Sequence, residues 1–170
     1  MIREVKLSYV KSAWKERPHF PLGVVPLHEY LREHARRQPG KDALIYYGKR
    51  FTYREFDEIV DRLATALHGL GITKGDMVTL FLPNCPQYFF GYFALQRMGA
   101  VLVSANPMFK RIELGDAMKS TDSADIVCLD QLYPVVEEIK GEIKLRNVVV
   151  TSYVDFLPRE PELPLDPGMA

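Results

Sequence analysis

Few residues of this chain have both the type and the spacing that chemistry needs. Two asparagines sit beside prolines, in Pro83-Asn84 and Asn106-Pro107. Each follows a short apolar run that reads as a parallel strand, and ligands of open parallel sheets lie beyond the carboxyl ends of the strands. Ser104 and Asp130 would share that edge. Between the two loops runs Tyr88-Phe89-Phe90-Gly91-Tyr92-Phe93, whose rings could line an apolar tunnel. Packing between two layers accounts for these rings as well. Asn84, Asn106, Phe89 and Phe90 are therefore the candidate channel residues. Lys110-Arg111 could meet a phosphate, although a solvated helix start explains the pair.

The remaining polar and glycine-rich features fail as sites. His19, His28, His34 and His68 have no metal-ligand spacing with one another or with an acid or cysteine. Cys85 and Cys128 lie far apart in apolar runs and read as small buried hydrophobes. Gly69, Gly71 and Gly75 resemble a dinucleotide fingerprint, but they follow a helix and precede a strand. Phosphate binding needs the opposite order, with a helix N-terminus at the anion. No GxxxxGK[ST] run exists. Catalytic, cofactor and metal residues are accordingly none.

The elements that would position the asparagines follow from periodicity. Leu27 to Arg37 is predicted to be a helix, ended by Pro39-Gly40. Ala43 to Tyr47 reads as a strand, Gly48-Lys49 as a tight turn, and Arg50-Phe51 as a second strand, forming a hairpin. Thr52 and Glu55 have capping-box spacing. Phe56, Ile59, Val60, Leu63, Leu67 and Leu70 then recur at helical intervals, and Gly71 suits a left-handed cap. Met77 to Leu82, Val101 to Val103, Ile126 to Leu129 and Val148 to Val150 read as strands. Helices from Gln87 to Met98, Ile112 to Ser120 and Leu132 to Lys140 alternate with them. That alternation predicts an α/β fold, a doubly wound parallel sheet with flanking helices, entered through the short N-terminal hairpin. The chain divides into an irregular lead at 1–26, an α/β unit at 27–152 and a Pro-rich tail at 153–170. Pro158, Pro161, Pro164 and Pro167 recur every third residue, the period of polyproline II. An extended linker is the plain reading, a ligand for a proline-binding module the other.

Composition excludes several classes. The chain has 170 residues, with 22 basic and 22 acidic side chains. A net charge of zero argues against nucleic-acid binding, which rests on a basic excess. The longest apolar stretch, Tyr88 to Leu95, falls far short of the roughly 20 residues of a membrane span. No secretory signal is visible, and Trp14 reads as a packing residue. A cytoplasmic, reducing location is expected.

Four segments in order carry a resemblance to a known family. Phe51-Thr52-Tyr53-Arg54-Glu55-Phe56 resembles the first core motif of the adenylate-forming superfamily. Leu70-Gly71-Ile72-Thr73-Lys74-Gly75-Asp76-Met77-Val78 resembles the segment that follows in its acyl-CoA synthetases. Leu82-Pro83-Asn84-Cys85-Pro86 is similar to the family's turn after that strand. Ala94 to Val101, through Asn106-Pro107, resembles the second core motif, and Glu113-Leu114 matches the pair that usually follows. The match runs from about residue 27 to 130. It is nearer to fatty-acid and aryl-acid CoA ligases than to the adenylation domains of peptide synthetases.

The resemblance implies part of the large N-terminal domain of a long-chain fatty-acid–CoA ligase. Such an enzyme uses ATP and magnesium to make an acyl-adenylate, then passes the acyl group to CoA. Its phosphate loop and catalytic residues lie downstream of residue 170, so none is carried over, and the chain alone is expected to be inactive. In the intact enzyme Asn84, Asn106, Phe89 and Phe90 would border the acyl or CoA channel. The alternatives are an aryl-acid CoA ligase, or a free-standing α/β interaction module or subunit of a split ligase. A flavodoxin-like nucleotide binder ranks last. Exposed apolar surface would favour self-association.

Overall fold

A computed structural model of the chain describes residues 20–165. Trp14, Pro18, His19 and Pro167 lie outside the described residues.

Local signals set the first half. Helix α1 spans Leu27–Arg37, and strands β1 (Asp42–Tyr46) and β2 (Lys49–Thr52) form an antiparallel hairpin. Its turn is Tyr47-Gly48, one residue before the predicted Gly48-Lys49. Tyr47 (φ 49°) and Gly48 (φ 91°) are both left-handed, and Lys49 is already paired with Tyr46. Two consecutive positive φ values match the strand twist. Only the glycine advertises this in the sequence, which is why the turn reads one position late. A segment near the carboxyl end of the described residues folds back here: the Glu162 amide donates to the Tyr47 carbonyl (3.1 Å), and the Glu162 side chain packs where a Gly48 Cβ would stand.

Helix α2 (Tyr53–Gly69) starts on the expected box. The Glu55 amide donates to Thr52 Oγ1 (3.3 Å), and Glu55 Oε2 accepts from the Thr52 amide (2.8 Å). Its end is a Schellman motif: the Ile72 amide donates to the Leu67 carbonyl (3.3 Å) and the Gly71 amide to that of His68 (2.9 Å). Leu67 and Ile72, the hydrophobic pair of that motif, are both fully buried.

The second half is the alternation β3 (Met77–Phe81), α3 (Pro86–Met98), β4 (Val101–Ser104), α4 (Arg111–Ser120), β5 (Asp125–Leu129), α5 (Tyr133–Ile139) and β6 (Asn147–Thr151). A 3-10 turn, Asp130–Leu132, precedes α5, so the predicted Leu132–Lys140 helix is shorter than its pattern suggested. All pairings among β3 to β6 are parallel, and the strand order is β4-β3-β5-β6. The chain therefore steps outward from β3 to β4, then crosses back over β3 to β5. With right-handed crossovers, α3 covers one face and α4 and α5 the other. This is the doubly wound arrangement.

Two cores result. Leu80, Phe90, Ala94, Leu95 and Leu129 pack with α2 on one face. Phe81, Leu114, Met118, Ile126, Cys128 and Ile139 fill the other. Strands buried on both faces need unbroken apolar sequence, as in Met77 to Leu82. Gly91 lets α3 approach β3: an added Cβ would stand 3.2 Å from a Leu80 methyl.

Two polar clamps lock these layers. Arg97 of α3 is only 8% exposed at its side chain and reaches Asp61 (2.6 Å) and Asp57 (2.5 Å) of α2. At the amino ends of the strands, Asp125 is 1% exposed and is gripped by the Arg146 guanidinium and by Asn147 Nδ2 (2.7 Å). Arg146 also reaches Asp76 at 3.2 Å, so one guanidinium ties the starts of β3, β5 and β6 together. Its pKa is raised, chiefly by the bond to Asp125. The Asp76 carboxyl sits below its ordinary range, mainly because the Thr73 amide donates to it.

Candidate functional site

Ligands of open parallel sheets bind beyond the carboxyl ends of the strands, an edge formed here in part by the loops after β3 and β4. Because β4 lies directly beside β3, the loops that follow them become neighbours. Pro83 and Asn84 come from the β3–α3 loop, and Ser104, Asn106 and Pro107 from the end of β4. Together with Tyr88 of α3 they line a pocket of about 360 Å³.

Within this pocket the polar groups differ in what they have free. Asn106 Oδ1 accepts from the Met108 amide (3.0 Å), closing an Asx turn, so only its Nδ2 faces outward for a ligand. Asn84 is exposed, and its side chain makes no hydrogen bond among the described residues. The Tyr88 hydroxyl and Ser104 Oγ lie 3.2 Å apart. The pocket thus offers amides and hydroxyls but no charge. It suits a neutral, hydrogen-bonding part of a ligand better than a phosphate.

The aromatic candidates are not brought to this pocket. Phe89, 38% exposed, lines a separate crevice of about 290 Å³ with Leu27, Tyr30, His34, Tyr53 and Phe93. Phe90, 1% exposed, is set edge-on to Phe56 (4.9 Å) and Phe51 (5.5 Å), with Phe156 at 5.1 Å. Of the four channel candidates, Asn84 and Asn106 meet, while Phe89 and Phe90 stand elsewhere. Asp130 turns its Oδ1 onto the Gln131 amide (2.8 Å). Arg111 pairs with Glu142 (2.5 Å), which Lys119 also contacts (2.8 Å). The two cations hold the Glu142 carboxyl below its usual range, Lys119 foremost.

Sequence reasoning missed a groove of about 690 Å³ beside β6. Ile59, Leu63, Val149 and Phe156 line it, with Lys49 and Arg62 at its rim. Gln87, 6% exposed, donates to the Ser152 carbonyl (2.6 Å), while its Oε1 is buried without a partner among the described residues. Its lining comes from positions as distant as Lys49 and Phe156, so no local pattern marks it.

Two helix starts have their amides engaged by carboxylates. Phosphate grips use free amides at a helix start. In α2 the Glu55 carboxylate takes the Thr52 amide, and in α4 the Glu113 carboxylate takes that of Lys110 (3.1 Å). Among the described residues no group of His, Cys, Asp and Glu could hold a metal ion. His28 contacts Glu29 (3.0 Å), and His34 stacks on Tyr53 (5.0 Å). Cys85 and Cys128 are free and buried; burial pushes both thiols up, Cys128 to about 11. Among the described residues no helix is long and apolar enough to cross a membrane.

With this geometry in place, comparison with known proteins is specific. A model of the AMP-binding enzyme family matches residues 31–167. The long-chain-fatty-acid–CoA ligase of Bacillus subtilis (strain 168) is 33% identical over 142 residues, covering 83% of this chain and 25% of that protein. A fatty acyl CoA synthetase of Mycobacterium tuberculosis superposes with a TM-score of 0.71 at 23% identity, over 76% of this chain and 27% of that one. A benzoate CoA ligase from Burkholderia xenovorans LB400 gives 0.71 at 19% identity, over 77% and 27%. These two likenesses speak for the fold. The chain spans about a quarter of the length of the curated relatives it matches.

Proposed function

Because the chain belongs to the AMP-binding enzyme family, we propose that it is N-terminal framework of an ATP-dependent fatty-acid–CoA ligase. The observation that carries this reading is the 33% identity with a long-chain-fatty-acid–CoA ligase across 83% of the chain. That relative's name is what suggests a fatty acid as the substrate class. In the intact enzyme ATP, magnesium and CoA would serve the acyl-adenylate and thioester steps, in the cytoplasm.

The motif residues support a framework role. Phe51 to Phe56 forms the β2–α2 junction, Leu70 to Val78 the turn from α2 into β3, and Leu82 to Pro86 the turn into α3. Each is occupied by a cap, a turn or a buried contact. Asn84 and Asn106 are the exceptions, exposed at the carboxyl edge of the sheet. We assign them to the wall of the acyl or CoA channel, with Phe89 at its apolar periphery and Phe90 supporting it from the core. On this reading the chain is framework alone, and in isolation it should neither bind ATP nor release pyrophosphate.

The experiment is to incubate the purified chain with ATP, magnesium, a long-chain fatty acid and CoA, and to measure pyrophosphate. Background release is expected, and release above it refutes the framework reading. In the full-length ligase, Asn84→Ala and Asn106→Ala should raise KM for the fatty acid or for CoA. Unchanged KM and kcat for both substrates remove these residues from the channel.

A further inference from the structure

The two asparagines of the carboxyl-edge pocket stand on loops, yet the two hydroxyls beside them stand on regular elements. Ser104 is the last residue of β4, and Tyr88 lies in the first turn of α3. Ser104 is aligned with Leu80 of β3, so the sheet sets its place. The Tyr88 ring is half-buried against the larger core and edge-on to Phe89 at 5.8 Å, so its hydroxyl sits on an anchored arm. Where β4 ends, the Ala105 amide still donates to the Leu80 carbonyl (3.0 Å). Beyond that point each loop bonds within itself. The Tyr88 amide donates to the Cys85 carbonyl (3.1 Å), the Phe109 amide to the Asn106 carbonyl (2.9 Å) and the Met108 amide to Asn106 Oδ1 (3.0 Å). Among the described residues, the hydrogen bond between the Tyr88 hydroxyl and Ser104 Oγ (3.2 Å) is the only one joining residues 82–88 to residues 104–110.

We propose that this hydroxyl pair sets the gap between the Asn84 and Asn106 loops, which makes Tyr88 and Ser104 positioning residues of the channel wall. The proposal rests on the reading of the two asparagines as that wall. Ser104 stands two residues before Asn106, and Tyr88 four residues after Asn84. A tie this close limits how far either side-chain amide can drift. A site supported from regular elements keeps its geometry better than one held by loops alone. Either hydroxyl can donate to the other, so the bond survives rotation of both O–H groups. The partners are 16 residues apart in the chain, and they meet because β4 lies beside β3. If Tyr88 and Ser104 acted as separate ligand contacts, their losses would add, whereas a shared bond is lost only once.

The first readout uses the full 170-residue chain and hydrogen exchange at the Met108 and Phe109 amides, both held by Asn106. Tyr88→Phe and Ser104→Ala should each speed that exchange about fivefold, the factor expected for one hydrogen bond. The double variant should go no further, and Ser104→Thr, which keeps a hydroxyl, should match the parent. Unchanged exchange in the single variants, or additive effects in the double variant, overturns the proposal. The second readout is steady-state kinetics of the full-length ligase. Either single variant should raise KM for the fatty acid or for CoA about threefold, with kcat held within about twofold and no additivity in the double. If Asn84→Ala and Asn106→Ala leave both KM values unchanged, the channel reading falls and the proposal with it. If they raise KM while Tyr88→Phe does not, the channel stands and the proposal is overturned.

Discussion

Phe90 offers the sharpest test of how this scaffold is built, because its ring has two competing roles: channel wall or core. The structure places it 1% exposed against Phe51, Phe56 and Phe156. Truncation in a packed core costs the transfer of the lost ring atoms, about 3 kcal/mol, plus a cavity that neighbours only partly fill. Loss of edge-on ring contacts adds to this, each worth about 0.5–1.5 kcal/mol. Gly91 and the Leu80 methyl beside it are already at contact, which limits collapse. Phe90→Ala should therefore cost about 4 kcal/mol, a large share of the 5–15 kcal/mol typical of a domain. Phe89, 38% exposed, has far less to lose, and Phe89→Ala should cost about 1 kcal/mol. Urea unfolding followed by circular dichroism measures both, with equal slopes confirming that the unfolded surfaces are comparable. A cost below about 1 kcal/mol for Phe90→Ala, or equal costs for the two, refutes the core assignment.

Removing the α2–α3 clamp by Arg97→Met leaves Asp57 facing a dry helix contact and should cost about 3 kcal/mol in the same assay; Asp57→Asn in the Arg97→Met background should recover part of it. Thr52→Ala deletes one half of the α2 cap and should cost about 1 kcal/mol. The Thr52 amide holds the Glu55 carboxyl below its ordinary range, so this contribution is full above the unfolded carboxylate pKa and fades as pH falls through the lower folded value. The acid limb of the stability–pH curve should lose amplitude in Glu55→Gln, and an unchanged limb would contradict this. Burial raises both thiols above their unfolded values, so their contribution is present below the free-thiol pKa and is lost as pH climbs from about 9 towards 11, the folded value of Cys128. Cys128→Ala should flatten that alkaline loss in thermal melts, and an unchanged slope would contradict it.

What was legible in the sequence was local. The Thr52–Glu55 box and the left-handed Gly71 cap of α2 are each encoded in a short local segment, and both appear as read. The four parallel strands were visible as unbroken apolar runs. The hairpin turn slipped because Tyr47 takes a left-handed conformation that tyrosine seldom signals. Helix α5 begins later than its pattern because Asp130–Leu132 form a 3-10 turn ahead of it. At the site, the meeting of Asn84 and Asn106 follows from adjacent parallel strands and was legible. The separation of Phe89 from Phe90 was not: neighbours on an all-apolar helix face different layers, and sequence does not say which layer is thick. The groove beside β6 was invisible because it is assembled from positions as distant as Lys49 and Phe156.

The guanidinium of Arg146 holds three strands at the rim opposite the two asparagine loops. Anchorage thereby sits at the pole of the sheet opposite the proposed channel wall. The loop from Pro83 to Cys85 and the turn from Asn106 to Phe109 can be rewritten residue by residue while strand register is kept from below. An engineer probing that proposal would randomise those two loops first and leave Asp76, Asp125 and Arg146 alone.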